Sequence, residues 1–494
     1  MRDVGTWVSL RIPYHTKGWQ WPAPEWQVAA QLRPESRVRF TLVAQPECQL
    51  TESLPRELLV RLLRFDTSNP PGNEGACVAF VDQLLRFAGL QTKLLTATPG
   101  RPNLVARLPG RGAAPPLLLQ GHLDVVPARE TDWRYPPFGG QIADGYAWGR
   151  GALDMKAGVA MMISAVIRAK KTGLVPAGDV ILALLADEEA GSRHGAEFLV
   201  TDHAELFHGV RFAVGEFGGF SLALAGRRLY PIQVAEKQTC CLRATLTGPA
   251  GHGSLPIRGA VTARLGRVLS RLGRRKLPVH ITPVVREMFN AIATELPALG
   301  KPVIAALANP HLTDLTLGLS GSAAAQFDPL LRHTVSPNII RAGETINVIP
   351  DHASVDIDGR ILPGYSPQDL IRELRQLLGA GADFTVTQHD PGPAHADLSL
   401  FPFLAGILRQ HDPRARPVPI LMPGATDGRF FSRLGIQSYG FIPMQLPDSF
   451  DFSRLIHAAN ERIPIKALDF GALCMYTLLR DYRNIATSRI VNNA

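Results

Sequence analysis

The chain has 494 residues, 46% of them hydrophobic and 19% charged, and a formal net charge of +9. That length favours two domains and allows a sizeable core, and the composition is that of a globular chain rather than a disordered or fibrous one. The basic residues are mostly scattered arginines without zinc-finger spacing, an RNA-binding aromatic motif or a long basic tail, which argues against a nucleic-acid partner.

One basic cluster, Arg264, Arg267, Arg271, Arg274, Arg275 and Lys276, has near-helical spacing and reads as a solvated helix face. The five cysteines (Cys48, Cys77, Cys240, Cys241, Cys474) are odd in number and lack a C-x-x-C spacing, so neither a disulfide framework nor a cysteine zinc site is expected. No stretch approaches the roughly 18 apolar residues of a membrane span. The N-terminus lacks the charged-then-apolar order of a secretory signal, so the expected location is cytoplasmic, with no membrane partner.

Residues 1–50 carry Trp7, Trp19, Trp21 and Trp26 without periodicity and form an extension of uncertain order. Helical spacing follows in "LPRELLVRLLRF" and "ACVAFVDQLLRFAGL". Strands and helices then alternate: "NLVARLP", "PPLLLQG", the helix "GVAMMISAVIRAKK", "DVILALLA", the helix "HGAEFLVT" and "VRFAVG". This alternation predicts an α/β layer around a mostly parallel, buried sheet. From residue 237 the pattern becomes β-α-β-β-α-β, a ferredoxin-like α+β unit interrupted near 278–334. The α/β pattern resumes after 391 and ends in the helix "ALDFGALCMYTLLRDY". The expected domains are an extension (1–50), a catalytic domain in two parts (51–236 and 391–494), and an inserted lid or dimerisation domain (237–390).

In an open α/β sheet, functional groups collect past the carboxyl ends of the strands. Three apolar runs here end in metal-type side chains: "LLLQGHLDVVPA" in His122 and Asp124, "LLADEEAG" in Asp187, Glu188 and Glu189, and "FAVGEFGG" in Glu216. Asp154 follows in the loop "WGRGALDMKAG". Each feature alone reads as a structural residue or a solvated helix start. Several such ends in one sheet point to a hydrolytic metal, because a dication offsets the repulsion among clustered carboxylates. No G-x-S-x-G elbow or recognisable cysteine nucleophile competes with a metal route.

The segments "GHLDVVP", "WGRGALDMKAG", "DEEAGS", "GHGSLP", "INVIPDHASVDIDGRILPG", "GATDGRFF" and "IHAANERI" occur in one order from about residue 52 onward. On these segments the chain resembles the co-catalytic dizinc family of acetylornithine deacetylase, succinyl-diaminopimelate desuccinylase, aminoacylase and glutamate carboxypeptidase. "LLRHTVSPNIIRAGETINVIP" looks most like its carboxypeptidase S branch.

The resemblance implies two Zn2+ per chain, with Co2+ and Mn2+ suited to the same ligands. Asp154 would bridge the two metals. His122 and Glu216 would complete one site, and Glu189 and His457 the other. Glu188 would be the general base, and Asp124 the acid that orients His122. A cis peptide at Asp154–Met155 is implied as well. His252 would be a transition-state donor supplied across a homodimer, with Arg360 and Asn347 on the substrate carboxylate and Gly424 and Thr426 lining the pocket. The implied activity is hydrolysis of an amide beside a free carboxylate, in an N-acyl-amino acid or a dipeptide. A carboxypeptidase acting on longer peptides is the alternative, and an inactive binding module is a third reading.

Overall fold

The computed structural model describes residues 50–485, except 225, 299, 322–325 and 380. The expected extension, with Cys48, therefore lies outside the described residues apart from Leu50. The chain divides into two compact units, Met1–Leu54 and Pro55–Ala494. Only residues 50–54 of the first are described, as the opening of the helix Leu50–Leu63. The remaining elements belong to the second unit.

Helix Gly75–Phe87 leads into β1 (Gln91–Thr96), β2 (Pro102–Leu108) and β3 (Leu117–His122). A hairpin of β4 (Gln141–Ala143) and β5 (Tyr146–Trp148) precedes the helix Lys156–Lys171. Then come β6 (Val180–Leu185), helix Ala196–Asp202, β7 (Phe212–Gly215), β8 (Leu222–Leu224) and β9 (Arg227–Glu236). Next are β10 (Gln238–Thr247), β11 (Gly251–His252) and helix Val261–Arg274. After a helical stretch the chain forms β12 (Thr334–Ala342), β13 (Val348–Ile349), β14 (His352–Ile361), helix Pro367–Leu378 and β15 (Asp383–Asp390). It closes with helix Phe401–His411, β16 (Ala415–Met422), β17 (Gln437–Gly440), β18 (Arg462–Pro464) and helix Ile465–Asp481.

The large sheet has the order β1-β2-β6-β3-β7-β17-β9-β16, with β8 on β9. Its centre, β6-β3-β7-β17, is parallel. Strands β3 and β6 are buried along their whole length, because helices cover both faces; hence their continuous apolar sequences. Helix Lys156–Lys171 is almost wholly buried and packs closely on helix Ile465–Asp481. A side chain at Gly471 would collide with Met161 and the Pro443 carbonyl, so only glycine permits that approach. The expected α/β architecture is the one found, and it places the ends of β3, β6 and β7 side by side on one edge of the sheet.

The second sheet, β12-β14-β10-β15, is wholly antiparallel. Leu242, Leu246, Val355 and Ile357 pack on Leu265, Leu370 and Leu374 of its two helices. The interruption near 278–334 is helical: Pro283–Glu295, Lys301–Leu307 and Thr313–Ser320. Its first helix docks on β16 of the large sheet, where Glu295 pairs with Arg416 at 3.0 Å. Among the described residues, no helix is long and apolar enough to cross a membrane.

A hydrogen-bonded polar pin ties this stretch to the second sheet. His280 Nε2 lies 2.7 Å from Glu373 Oε1 on helix Pro367–Leu378, and His333 Nε2 lies 3.7 Å from the same oxygen. His333 Nδ1 accepts the Leu362 N–H at 3.1 Å, so the neutral ring carries its proton on Nε2. That proton occupies the lone pair a metal would need, and the trio acts as a pin rather than a metal site. Burial lowers the His333 pKa to about 4, with Glu373 and Asp369 pulling it up and His280 and Lys237 pushing it down. Neutral His333 thus stabilises the fold fully above the ordinary value of 6.5, and that contribution is lost as pH falls toward 4. In urea unfolding, the stability advantage of the parent over His333→Gln shrinks across that window; an advantage constant with pH contradicts this account.

Candidate metal centre

His122 ends β3. Its Nδ1–H donates to the Asp124 carbonyl at 2.9 Å, with the Asp124 carboxylate 3.5 Å away, and this turns Nε2 inward. Nε2 faces Asp154 Oδ1 at 3.1 Å and Glu216 Oε2, just past β7, at 3.4 Å. The other Asp154 oxygen faces His457 Nε2 at 3.2 Å, and that nitrogen lies 3.3 Å from Glu189 Oε1. Asp154 therefore stands between two histidines, each with its own second carboxylate. The Asp154–Met155 peptide is cis.

The three acids that end β6 divide by direction. Asp187 adopts a left-handed φ of 72° and turns away from the centre: its carboxylate accepts from Asn69 Nδ2 (3.1 Å), Arg101 Nη1 (2.9 Å) and the His194 N–H (3.1 Å). Asp124 holds the next two in place by accepting the Glu188 and Glu189 main-chain N–H groups, both at 3.1 Å. The donor atoms of His122, Glu188 and Glu216 come within 4.8 Å of one another, as do those of His122, Asp154 and Glu189.

Burial alone would lower the His122 pKa, but Asp124, Asp154 and Glu216 outweigh it and hold the ring well above the usual imidazole range. Asp154 shows the converse. Burial would raise it, yet His122 and His457 hold it well below the usual carboxylate range. Glu188 is pushed well above its ordinary value by burial and then by the nearby Glu216 charge. Burial also raises Glu216 to about 7.

The donor set fits a pair of divalent metals. It consists of imidazole and carboxylate, with one carboxylate placed to serve both positions, and the buried Glu189 Oε1 has no hydrogen-bond donor.

The inserted residues lie elsewhere. His252 and Asn347 are neighbours: β11 pairs with β13, and the Gly253 N–H donates to the Asn347 carbonyl at 2.8 Å. His252 is exposed, with Nδ1 2.8 Å from Ser254 Oγ. Arg360 pairs with Asp358 through Nε (2.8 Å) and Nη2 (3.2 Å) and donates to Thr239 Oγ1 at 3.0 Å. None of these three makes a hydrogen bond or ion pair with the His122–Asp154–His457 cluster. Gly424 sits on the partly exposed loop after β16.

Thr426, on the same loop, is tied to Glu236. Its N–H and hydroxyl both donate to Glu236 at 2.8 Å, and the hydroxyl accepts the Gly428 N–H at 3.0 Å. Thr426 is buried and fixes the loop, and its only hydroxyl proton is committed, so it offers no free donor to substrate.

Sequence reasoning missed the supports. Asn69 Nδ2 joins Asp124 (2.8 Å) to Asp187, and Arg101 joins Asp187 to Glu74 through Nε at 3.1 Å and a 2.6 Å contact from Nη2. Glu236, which burial raises to about 7, anchors the loop after β16. Buried Asp427 has no partner on either oxygen, and burial raises it to about 6. Loop residues of this kind carry no periodic signal. Only a polar residue next to the Pro70–Pro71 turn, as at Asn69, hints at a fixed position.

By fold and site this is a metal-dependent hydrolase acting on amide bonds. The model of peptidase family M20/M25/M40 matches residues 118–481, and the chain belongs to that family. Probable carboxypeptidase S-like 2 of Dictyostelium discoideum is 28% identical over 370 residues, covering 71% of this chain and 68% of that protein. The human N-fatty-acyl-amino acid synthase/hydrolase PM20D1 is 29% identical over 383 residues, covering 74% of each. Among solved structures, the M20 family metallo-carboxypeptidase Sso-CP2 from Sulfolobus solfataricus matches in fold with a TM-score of 0.61 at 18% identity, covering 86% of this chain and 98% of that one.

Arg101 bridges two buried acids, Glu74 and Asp187. Arg101→Leu leaves Glu74 and Asp187 without it, and equilibrium unfolding should show a loss of about 3–5 kcal/mol. A loss below about 1 kcal/mol would mean that the network is not what holds Asp187.

Proposed function

We propose that the protein hydrolyses an amide bond beside a free carboxylate, in an N-acyl-amino acid or a dipeptide, at a centre of two zinc ions per chain. The observation that carries this reading is Asp154, one oxygen toward His122 and the other toward His457. His122, Asp154 and Glu216 would hold one ion, and His457, Asp154 and Glu189 the other. When bound, such a pair lowers the pKa of a water between the ions and polarises the scissile carbonyl.

The chain's own groups supply the rest. Glu188, half-buried beside His122 and Glu216 and raised in pKa, takes a proton from the attacking water and returns it to the leaving nitrogen. Asp124 keeps the His122 ring oriented and fixes the main chain of Glu188 and Glu189. Arg360 grips the substrate carboxylate. Asp358 and Thr239 engage its Nε and one hydrogen on each of the other two nitrogens, leaving two of its five donor hydrogens. Asn347 and His252 approach together on the β11–β13 ribbon, with His252 donating to the developing oxyanion.

His252 would come from a second copy of the chain. The exposed edge strand β12, with Ile339 and Ile340 about half exposed, is a surface of the kind a homodimer covers. The free Cys77, Cys240, Cys241 and Cys474 fit a reducing, cytoplasmic setting. The carboxypeptidase S-like relative favours cleavage of longer peptides as a second reading.

The deciding experiment is a screen of N-acyl-amino acids, dipeptides and longer peptides with zinc-loaded protein, each beside its C-terminal amide. Amides lacking the free carboxylate should react at least tenfold more slowly, and equal rates would sink the carboxylate requirement. Glu188→Gln should retain metal and lose at least about 100-fold in turnover. Near-normal turnover removes Glu188 from the mechanism. Mixing His252→Ala with Glu188→Gln should restore roughly a quarter of parental activity after subunit exchange, since half the dimers then hold one complete site. Background activity after verified exchange rules out a shared site.

A further inference from the structure

Two of the three ligands of the second metal position, Asp154 and His457, hang from one pair of short strands; the third, Glu189, follows β6. β5 pairs antiparallel with β18, Trp148 opposite Arg462. The chain leaving β5 becomes the 149–154 loop, and the chain arriving at β18 is the 457–461 segment. One buried carboxylate joins the two. Glu461 Oε1 accepts the Leu153 (2.6 Å) and Asp154 (3.1 Å) N–H groups, and Oε2 accepts the Gly151 N–H at 3.1 Å. Glu461 is fully inaccessible, so these bonds face no competition from water.

Oε2 also takes Arg150 Nη1 at 2.8 Å. That guanidinium reaches back across the gap, with Nη1 on the Ala458 carbonyl (3.1 Å) and Nη2 on the His457 carbonyl (3.2 Å). It is buried over the Trp133 ring, 5.2 Å from its centroid. His457 itself holds a φ of 60°, a left-handed conformation that a histidine keeps only when its surroundings impose it. Arg150 holds the carbonyl of that same residue.

From this we infer that Arg150 and Glu461 are a positioning pair that sets the second metal position selectively, by fixing the Asp154 amide and the His457 main chain against each other. The inference rests on the two-metal reading above. His122 and Glu216 rise from β3 and β7 of the large sheet and share none of these bonds, so the first position meets the pair only through the shared Asp154, whereas the second meets it through both Asp154 and His457.

The two substitutions act differently. Glu461→Gln keeps an oxygen for Leu153 and Asp154 but turns an NH2 group toward the Gly151 N–H and Arg150, donor against donor. Arg150→Gln keeps Glu461 on the loop and releases the His457 and Ala458 carbonyls. Both leave Asp154 Oδ1 facing His122 and loosen His457.

The test is a Co2+ titration of the metal-stripped full-length protein, read by visible absorption and chelator competition. His122→Ala and His457→Ala identify which binding step belongs to which position. Glu461→Gln and Arg150→Gln should each weaken the His457 step 10–100-fold and change the other step by less than about threefold. Unchanged affinity at both steps, or equal weakening of both, overturns the inference. Should Glu461→Gln not accumulate as folded protein, Arg150→Gln and the milder Arg150→Lys carry the same reading. A parent protein that takes up fewer than two Co2+ sinks the two-metal reading and the inference with it; two Co2+ in the parent with unselective variants sinks the inference alone.

Discussion

Negative charge crowded at the end of a buried sheet is the constraint around which this molecule is built. Asp124, Asp154, Asp187, Glu188, Glu189 and Glu216 meet where β3, β6 and β7 stop, and like charges out of water repel strongly. The structure answers in two ways. Asp187 and Asp124 are satisfied by protein donors: Arg101, Asn69 and main-chain amides. Asp154, Glu189 and Glu216 are left facing imidazoles, as a dication site requires. Glu188 receives neither remedy, and its raised pKa is the result, which is also what a proton carrier needs.

Parallel strand direction makes this crowding possible. Because β6, β3 and β7 are mutually parallel neighbours, their carboxyl ends point one way and lie about 5 Å apart. An antiparallel centre would have sent His122 and Glu188 to opposite ends. The second sheet has no such focus; it carries Arg360 on β14, while His252 and Asn347 lie on the separate β11–β13 ribbon.

Legibility from sequence followed the same physics. Strands β3 and β6 stood out because burial on both faces makes them uniformly apolar, and their polar breaks marked His122, Glu188 and Glu189. Glu216 was readable for the same reason after β7. Strand β9 was missed: it opens with Arg227 and Arg228 and contains Pro231, although β16 and β17 bury most of it. The helices within 278–334 showed only as an interruption. Asp154 and His457 sit on loops without strand patterning; Asp154 stood out as an acid in a glycine-rich loop before a helix, and family resemblance alone pointed to His457. Arg101 and Asn69 lie 86 and 118 residues from Asp187, too far for any local pattern. The bond from Thr426 to Glu236, 190 residues earlier in the chain, was equally out of reach of a local pattern.

The bond between Arg150 and Glu461 spans 311 residues of sequence, and it has a bearing on biosynthesis. A ribosome emits His122, Asp154, Glu188, Glu189 and Glu216 long before β18, so the growing chain can pair β3, β6 and β7 while His457 is still unmade. Until β18 returns to β5, the carboxylates outnumber the imidazoles by a wider margin than in the finished fold, because a nascent chain that stops short of His457 lacks one of the two histidines. The strand that carries His457 to Asp154 is thus also the one that closes the centre in order of synthesis.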